Sequence, residues 1–126
     1  FDDVLNSSRR SRINGVVSGL GGDDILSGGR SDDLLSGGTG NDLLSGGSGR
    51  DRFIFDVVDF GADTITDFRN GVDLLDVSAL SLGNGEIQDA INNAQQIGND
   101  TQLSVAQGSV LLQGFQVSDL STSNFA

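Results

Sequence analysis

The sequence predicts an all-β fold in which short parallel strands wind into a roll, closed by a C-terminal region of strands and one short helix. Three observations lead to this prediction. Glycine-rich stretches recur every nine residues over positions 19–54, an aspartate stands at the sixth position of each nine-residue unit, and a large apolar residue stands at the eighth. An internal repeat of this kind is typical of a chain that stacks equivalent units.

The four units follow one another without a gap. They are GLGGDDILS (19–27), GGRSDDLLS (28–36), GGTGNDLLS (37–45) and GGSGRDRFI (46–54). In each unit we expect the first six residues to form a turn and the last three to form a strand whose middle side chain points inward. Two units then make one coil, so equivalent residues stack in every second unit. The expected stacked pairs are Asp24 with Asp42, Asp33 with Asp51, Leu26 with Leu44, and Leu35 with Phe53.

The charge composition indicates a hard cation as the ligand. Seventeen of the 18 acidic residues are aspartates, the other is Glu86, and all seven basic residues are arginines. Short carboxylates close to the backbone suit turns and calcium sites. The net charge of −11 argues against nucleic acid as a partner, because phosphate contacts need clustered Lys and Arg. The chain has no run of about 18 apolar residues, so we expect no membrane span.

The four units match the pattern G-G-x-G-x-D-x-U-x, in which U is a large apolar residue. They resemble the calcium-binding nonapeptide of the RTX (repeats-in-toxin) family. The chain is similar to the C-terminal domains of serralysin-type proteases and to the R-modules of mannuronan epimerases. This resemblance implies a right-handed parallel β-roll of nonapeptide repeats with several Ca²⁺ ions between its turns. It also implies a secreted, extracellular protein of bacterial origin.

The resemblance further implies which atoms hold the ions. In the family, the second and fourth carbonyls of one turn and its aspartate face the first and third carbonyls and the aspartate of the turn two units on. One implied site joins Leu20, Gly22 and Asp24 to Gly37, Thr39 and Asp42. The other joins Gly29, Ser31 and Asp33 to Gly46, Ser48 and Asp51. The remaining turn residues, expected to serve ions on the other side of their turns, are Gly38, Gly40, Gly47 and Gly49.

Residues 55–126 are expected to close the roll. The stretch GADTI repeats the spacing of a unit, displaced by three residues, and resembles the segment that ends the roll in the related proteins. That resemblance implies Asp63 as a calcium ligand and makes Asp67 and Asp73 further candidates, with turn capping as the alternative for all three. Residues 86–97 have apolar side chains at helical spacing, which predicts an amphipathic helix that packs one face on the roll. Residues 101–105 and 109–114 are typical of the two strands of a hairpin.

Residues 1–18 depart from the pattern. Val17 keeps the core position, but Gly15 stands where an aspartate is expected, and three residues are inserted between Leu5 and Val17. We expect this coil to fold onto the roll and to bind calcium poorly or not at all.

The N-terminal region also contains the basic cluster of this acidic chain, formed by Arg9, Arg10 and Arg12. One interpretation is contact with a polyanion such as an acidic polysaccharide. The other is a solvated turn or a counter-charge for nearby aspartates.

Several catalytic classes are excluded because the chain has neither histidine nor cysteine. Ser-His-Asp triads, HExxH zinc sites and thiolate sites all need one or the other. We therefore expect a non-catalytic chain. The first residues have no Met and no signal-peptide pattern, so we also expect a piece of a longer chain. Its function is predicted to be calcium-dependent folding, with an upstream domain of the same chain and the type I secretion machinery as partners. A polysaccharide-binding module and an adhesive spacer are the alternatives.

Overall fold

A computed structural model describes residues 4–6, 16–57 and 59–126 of the chain. Their strands form two sheets around one core, and the predicted all-β roll is confirmed. The strands are β1 (Val4–Asn6), β2 (Val16–Ser18), β3 (Ile25–Gly29), β4 (Leu34–Ser36), β5 (Leu43–Gly47), β6 (Arg52–Ile54), β7 (Ala62–Ile65), β8 (Leu74–Asp76), β9 (Gln95–Ile97), β10 (Asp100–Val105) and β11 (Gly108–Leu112). One α-helix, α1, spans Asn84–Asn92. Short 3₁₀ turns span Ser78–Leu80, Val117–Asp119 and Thr122–Asn124.

Consecutive strands of the roll alternate between the two sheets, as two strands per coil require. The first sheet has the order β1-β3-β5-β7-β11-β10-β9, and the second has the order β2-β4-β6-β8. The repeat strands pair in parallel and in the predicted register, with Leu26 beside Leu44 and Leu35 beside Phe53. The backbones of β1 and β2 pair with β3 and β4, so the described residues of the N-terminal coil, 4–6 and 16–18, lie on the roll as expected.

Within the repeats, the core is a stack of the side chains at the eighth position. Leu26, Leu35, Leu44 and Phe53 are fully buried, and Ile65 continues the stack beyond the repeats. Burying a side chain of this size contributes about 1.5–3 kcal/mol relative to leaving it exposed. A slip of one residue would turn every strand over and remove these side chains from the core. The core therefore fixes the orientation of each turn.

Two longer connections follow the repeats. Leu44 pairs with Ile65, which lies 21 residues later, whereas Leu26 and Leu44 are 18 residues apart. This confirms the predicted displacement of the GADTI stretch by three residues. On the other sheet, Phe53 pairs with Leu75, which lies 22 residues later.

The C-terminal region covers the last coil. β11 pairs in parallel with β7 and antiparallel with β10, which confirms the predicted hairpin. Phe125 forms a bridge with Leu75 on the open edge of β8. The tail thus covers backbone groups that would otherwise be left as an unpaired strand edge.

The helix predicted over 86–97 is shorter in the structure. It ends at Asn92, and β9 follows it as a strand. Consecutive asparagines favour caps and turns over helix interiors, and Gly98, with φ of 60°, begins the two-residue turn that pairs β9 with β10. The prediction was correct for 86–92 and wrong for 93–97, where hairpin pairing takes the place of helix. No helix within the described ranges is long and apolar enough to cross a membrane.

Candidate metal centre

One edge of the roll carries a column of buried aspartates, each at the end of a turn. The backbone N–H of Asp24 donates to Oδ1 of Asp42 over 2.8 Å, and the N–H of Asp42 donates to Oδ1 of Asp63 over 2.9 Å. All three residues are 1–3% exposed. The carboxylates of Asp42 and Asp63 therefore link successive coils, because each accepts a hydrogen bond from the coil before it.

The opposite edge carries a second column of the same construction. The N–H of Asp33 donates to Oδ1 of Asp51, and the N–H of Asp51 donates to Oδ1 of Asp73, both over 3.0 Å. These aspartates are buried as well. The expected stacking of Asp24 on Asp42 and of Asp33 on Asp51 is thus present.

The middle aspartate of each column has one unsatisfied carboxylate oxygen. Oδ2 of Asp42 and Oδ2 of Asp51 are buried and accept no hydrogen bond. Each lies against the first glycine of its own turn, where a β-carbon on Gly37 or Gly46 would come within 2.2 Å of the oxygen. A buried acceptor without a partner costs about 1–3 kcal/mol, and more when it is charged. Such oxygens have the chemistry of cation ligands.

The carbonyls implied as ligands face the neighbouring turn on the first edge. The Leu20 carbonyl accepts a hydrogen bond from the N–H of Thr39 over 3.0 Å. The Gly22 carbonyl is directed at Gly40, on which a β-carbon would lie 2.0 Å from the oxygen. Gly40 also has φ of 113°. Close approach and left-handed backbone together require glycine at this position.

The second edge repeats this arrangement. The Gly29 carbonyl accepts a hydrogen bond from the N–H of Ser48 over 2.9 Å. A β-carbon on Gly49 would lie 2.6 Å from the Ser31 carbonyl oxygen, and one on Gly47 would lie 2.0 Å from the Gly29 carbonyl oxygen. On the first edge, a β-carbon on Gly38 would likewise lie 2.0 Å from the Leu20 carbonyl oxygen. The structure therefore brings the two turns of each implied ligand set into contact.

The electrostatics of the columns disfavour full ionisation. Burial raises the pKa of Asp51 and the pKa of Asp63 to about 7, and the charges of neighbouring aspartates add to the effect. Burial also raises the pKa of Asp42, with further contributions from the charges of Asp24 and Asp23. A cation close to Asp42, Asp51 and Asp63 would favour the ionised form of these three carboxyl groups.

Asp67 has the capping role that the sequence left open. Its Oδ1 accepts the N–H of Gly46 over 2.9 Å, and its Oδ2 accepts the N–H of Gly47 over 2.8 Å. The hydroxyl of Ser45 donates to Oδ2 over 3.2 Å. Asp67 therefore holds the start of the turn that ends at Asp51. The basic cluster of Arg9, Arg10 and Arg12 lies outside the described residues.

Sequence reasoning missed a second ladder, formed by the fifth residue of the units. Oδ1 of Asp23 accepts the N–H of Asn41 over 2.8 Å, and Oδ1 of Asn41 accepts the N–H of Ala62 over 2.9 Å. On the other edge, Oδ1 of Asp32 accepts the N–H of Arg50 over 2.7 Å. The available signal was an Asp or Asn at the fifth position of three of the four units.

The donor set suits calcium. Within residues 16–57 and 59–126, no three acidic side chains gather around one point. A cation between the turns would therefore take most of its ligands from backbone carbonyls and the rest from the stacked aspartates. Ca²⁺ accepts six to eight oxygens at 2.3–2.6 Å, backbone carbonyls among them.

Comparison with known proteins identifies the repeat and the module. Residues 18–53 match the RTX calcium-binding nonapeptide repeat in four copies. The AlgE6R2 subunit of the Azotobacter vinelandii mannuronan C5-epimerase is 36% identical, with a TM-score of 0.69, over 98% of this chain and 86% of that one. The AlgE6R3 subunit of the same enzyme is 34% identical, with a TM-score of 0.71, over 99% and 78%. This chain belongs to the RTX family.

The RTX domain is also similar to part of a much longer enzyme. It is 26% identical to the extracellular lipase LipA of Serratia marcescens, with a TM-score of 0.75, over 99% of the domain and 19% of the lipase. No curated protein sequence matches the domain significantly. RTX repeats bind calcium, in agreement with the oxygen-rich turns described above.

Proposed function

We propose that this RTX domain is a calcium-dependent folding module of a larger secreted protein. The observation that carries the proposal is the pair of buried oxygens, Oδ2 of Asp42 and Oδ2 of Asp51, that accept no hydrogen bond. Without a cation, these oxygens oppose folding because they lose water and gain no partner. With a divalent ion between the turns, the same oxygens become ligands.

The ions would lie between turns of adjacent coils. We call the space between two stacked turns an interval. One interval lies between turns 19–24 and 37–42 and another between turns 28–33 and 46–51, and each would hold an ion through the ligand set implied by the family. Asp63 would supply the carboxylate of a third interval above Asp42. The position of Gly61 supports this assignment, because a β-carbon on it would lie 2.0 Å from the Gly40 carbonyl oxygen. That relation is the same as the one between Gly40 and Gly22.

Ion binding and folding would form one linked equilibrium. The proposed ligands of a site come from turns 18 residues apart, so they converge only in the folded roll. An ion that binds only the folded chain stabilises it by about 2.7 kcal/mol at a concentration of 100 times Kd. Where calcium is scarce, a chain with a net charge of −11 would collapse poorly.

This linkage suits export before folding. We propose that the chain is exported unfolded by type I secretion from a bacterium, folds in extracellular calcium and supports an upstream catalytic domain. The domain itself would be non-catalytic, with its calcium-binding part at 19–54, a degenerate coil at 1–18 and a closing region at 55–126. The similarity to about a fifth of an extracellular lipase supports a place within a larger enzyme.

Far-UV circular dichroism during a calcium titration tests the proposal. The chain has no Trp and no Tyr, so the backbone signal is the practical readout. We expect an unfolded spectrum in excess chelator and a cooperative gain of β signal at millimolar calcium. Magnesium should not replace calcium, because it demands octahedral geometry and keeps several waters. A fully β-structured domain in excess chelator would refute the folding switch.

A polysaccharide-binding module is the second candidate. Two subunits of a mannuronan C5-epimerase are similar to the whole domain, and this observation favours an acidic polysaccharide such as alginate as a ligand. The N-terminal cluster of Arg9, Arg10 and Arg12 would make the contact. Exchange of all three for Ser should weaken alginate binding and reduce its salt dependence. Arg52→Ser, which removes an arginine outside the cluster, is the control and should leave binding unchanged. Unchanged affinity and salt dependence in the triple variant would exclude this role of the cluster.

A further inference from the structure

The last interval of the second column lies between Asp51 and Asp73, and the carboxylate of Asp73 has partners that the carboxylates of Asp42 and Asp51 lack. Asp73 has the place that Asp51 has one coil earlier, since its Oδ1 accepts the N–H of Asp51 over 3.0 Å. Its other oxygen, however, is satisfied. Oδ2 of Asp73 accepts the backbone N–H of Arg69 over 2.9 Å and lies 3.6 Å from Nε of the same arginine. The corresponding oxygen of Asp51 has no hydrogen-bond partner.

The same arginine also contacts the carbonyl side of this interval. Nη2 of Arg69 donates to the carbonyl of Gly49, the fourth residue of its turn. The equivalent carbonyl on the first edge, that of Gly22, is among the ligands implied for calcium. The guanidinium thus connects a fourth-position carbonyl of one turn to the aspartate of the next turn. This is the combination of ligands that an ion would connect in the other intervals.

The chain geometry explains how an arginine reaches this place. Successive aspartates of the repeats are nine residues apart, but Asp73 follows Asp63 by ten residues, so the last turn is one residue longer. The carboxylate of Asp73 is 1% exposed, whereas the arginine side chain is 43% exposed. The guanidinium therefore lies at the rim of the interval and directs its N–H groups inward.

We infer that Arg69 supplies the cation of the last interval, so that the second column ends in a built-in guanidinium instead of a calcium ion. This inference rests on the proposed calcium sites of the other intervals. No arginine within the described residues forms an ion pair with Asp42, Asp51 or Asp63. The intervals between Asp24 and Asp42, Asp42 and Asp63, and Asp33 and Asp51 therefore depend on a cation from solution, whereas the interval between Asp51 and Asp73 has its own.

Counting bound ions tests the inference. The calcium stoichiometry of the whole chain is measured by native mass spectrometry and by isothermal titration calorimetry, for the parent and for Arg69→Ala. We expect Arg69→Ala to bind one more ion per chain at saturation, because the Gly49 carbonyl and Oδ2 of Asp73 become accessible to an ion. Arg52→Ala is the matched control: Arg52 also pairs with an aspartate, Asp76 at 3.4 Å, but on the outer face of β6 and away from the columns.

The outcomes separate this inference from the proposed function. A parent chain that binds no calcium would contradict the proposed function. A parent that binds calcium, together with an unchanged count for Arg69→Ala, would overturn the inference alone. If Arg69→Ala does not fold even in saturating calcium, Arg69→Lys decides the question. This variant keeps the charge and is expected to fold with the parental ion count, so a misfolded Lys variant or a gained ion would overturn the inference.

Discussion

The middle aspartate of the first column allows ion binding to be separated from packing. Asp42→Asn keeps the size of the side chain and an Oδ1 acceptor for the N–H of Asp24, but it removes the charge at the unsatisfied oxygen. Asp23→Asn is the matched control. It removes the same charge from an exposed side chain, and one coil later the equivalent residue is already Asn41.

The expected effect follows from the number of sites that share Asp42. At about 10 mM calcium, a site with a Kd of about 10⁻⁴–10⁻³ M contributes about 1.4–2.7 kcal/mol to the free energy of unfolding. Two intervals are assigned to Asp42, so Asp42→Asn should lower this free energy by about 3–5 kcal/mol in calcium. Loss of a hydrogen bond alone would account for about 0.5–1.5 kcal/mol.

In excess chelator the sign of the effect should reverse. Burial and the charges of Asp24 and Asp23 raise the pKa of Asp42, so a neutral side chain is tolerated better than a carboxylate when no cation is present. Urea unfolding followed by circular dichroism measures the loss of stability in calcium. In chelator the residual β signal measures the reversal, and it should be stronger in Asp42→Asn than in the parent. A residual signal weaker than that of the parent would mean that Asp42 acts only through packing. A comparable loss in Asp23→Asn would assign the effect to net charge.

Three further predictions concern the protonation of two aspartates and the replacement of two glycines. The pKa values of Asp51 and Asp63 are raised to about 7 from 3.8, so their contribution to the stability of the calcium-free roll is fully present below about pH 4 and lost as the pH rises through about 7. In chelator the β signal should be stronger at pH 5 than at pH 8, and the opposite order would contradict the electrostatic argument. Gly40→Ala should lower the melting temperature in calcium, because its β-carbon would lie 2.0 Å from the Gly22 carbonyl oxygen. A β-carbon on Gly85 would meet no atom within 4 Å, and Gly85 lies in α1, so Gly85→Ala should raise the melting temperature. Calorimetry measures the melting temperature of both variants.

The repeat could be predicted from the sequence because every signal in it agrees. The period of nine fixes the coil, the eighth residue fixes the register, and the aspartate at the sixth position fixes the two columns. Each of these is a local pattern that a stacked fold simply repeats. The pairings Leu26–Leu44 and Leu35–Phe53 follow directly from two units per coil.

The closing region could be predicted only in outline because its contacts are not periodic. The capping role of Asp67 depends on the N–H groups of Gly46 and Gly47, which lie about one coil earlier in the chain. The hydrogen bond from Arg69, which lies outside the repeats, to the carbonyl of Gly49 likewise joins residues that are 20 positions apart. The end of α1 depends on a hairpin partner that helical spacing does not reveal.

The most direct test of the calcium sites is a crystal structure of the calcium-loaded domain, with anomalous scattering used to locate the ions. We expect ions between the turns, about 2.3–2.6 Å from Oδ2 of Asp42 and from Oδ2 of Asp51. If these two oxygens instead contact only protein donors or water in saturating calcium, calcium does not bind in the proposed intervals.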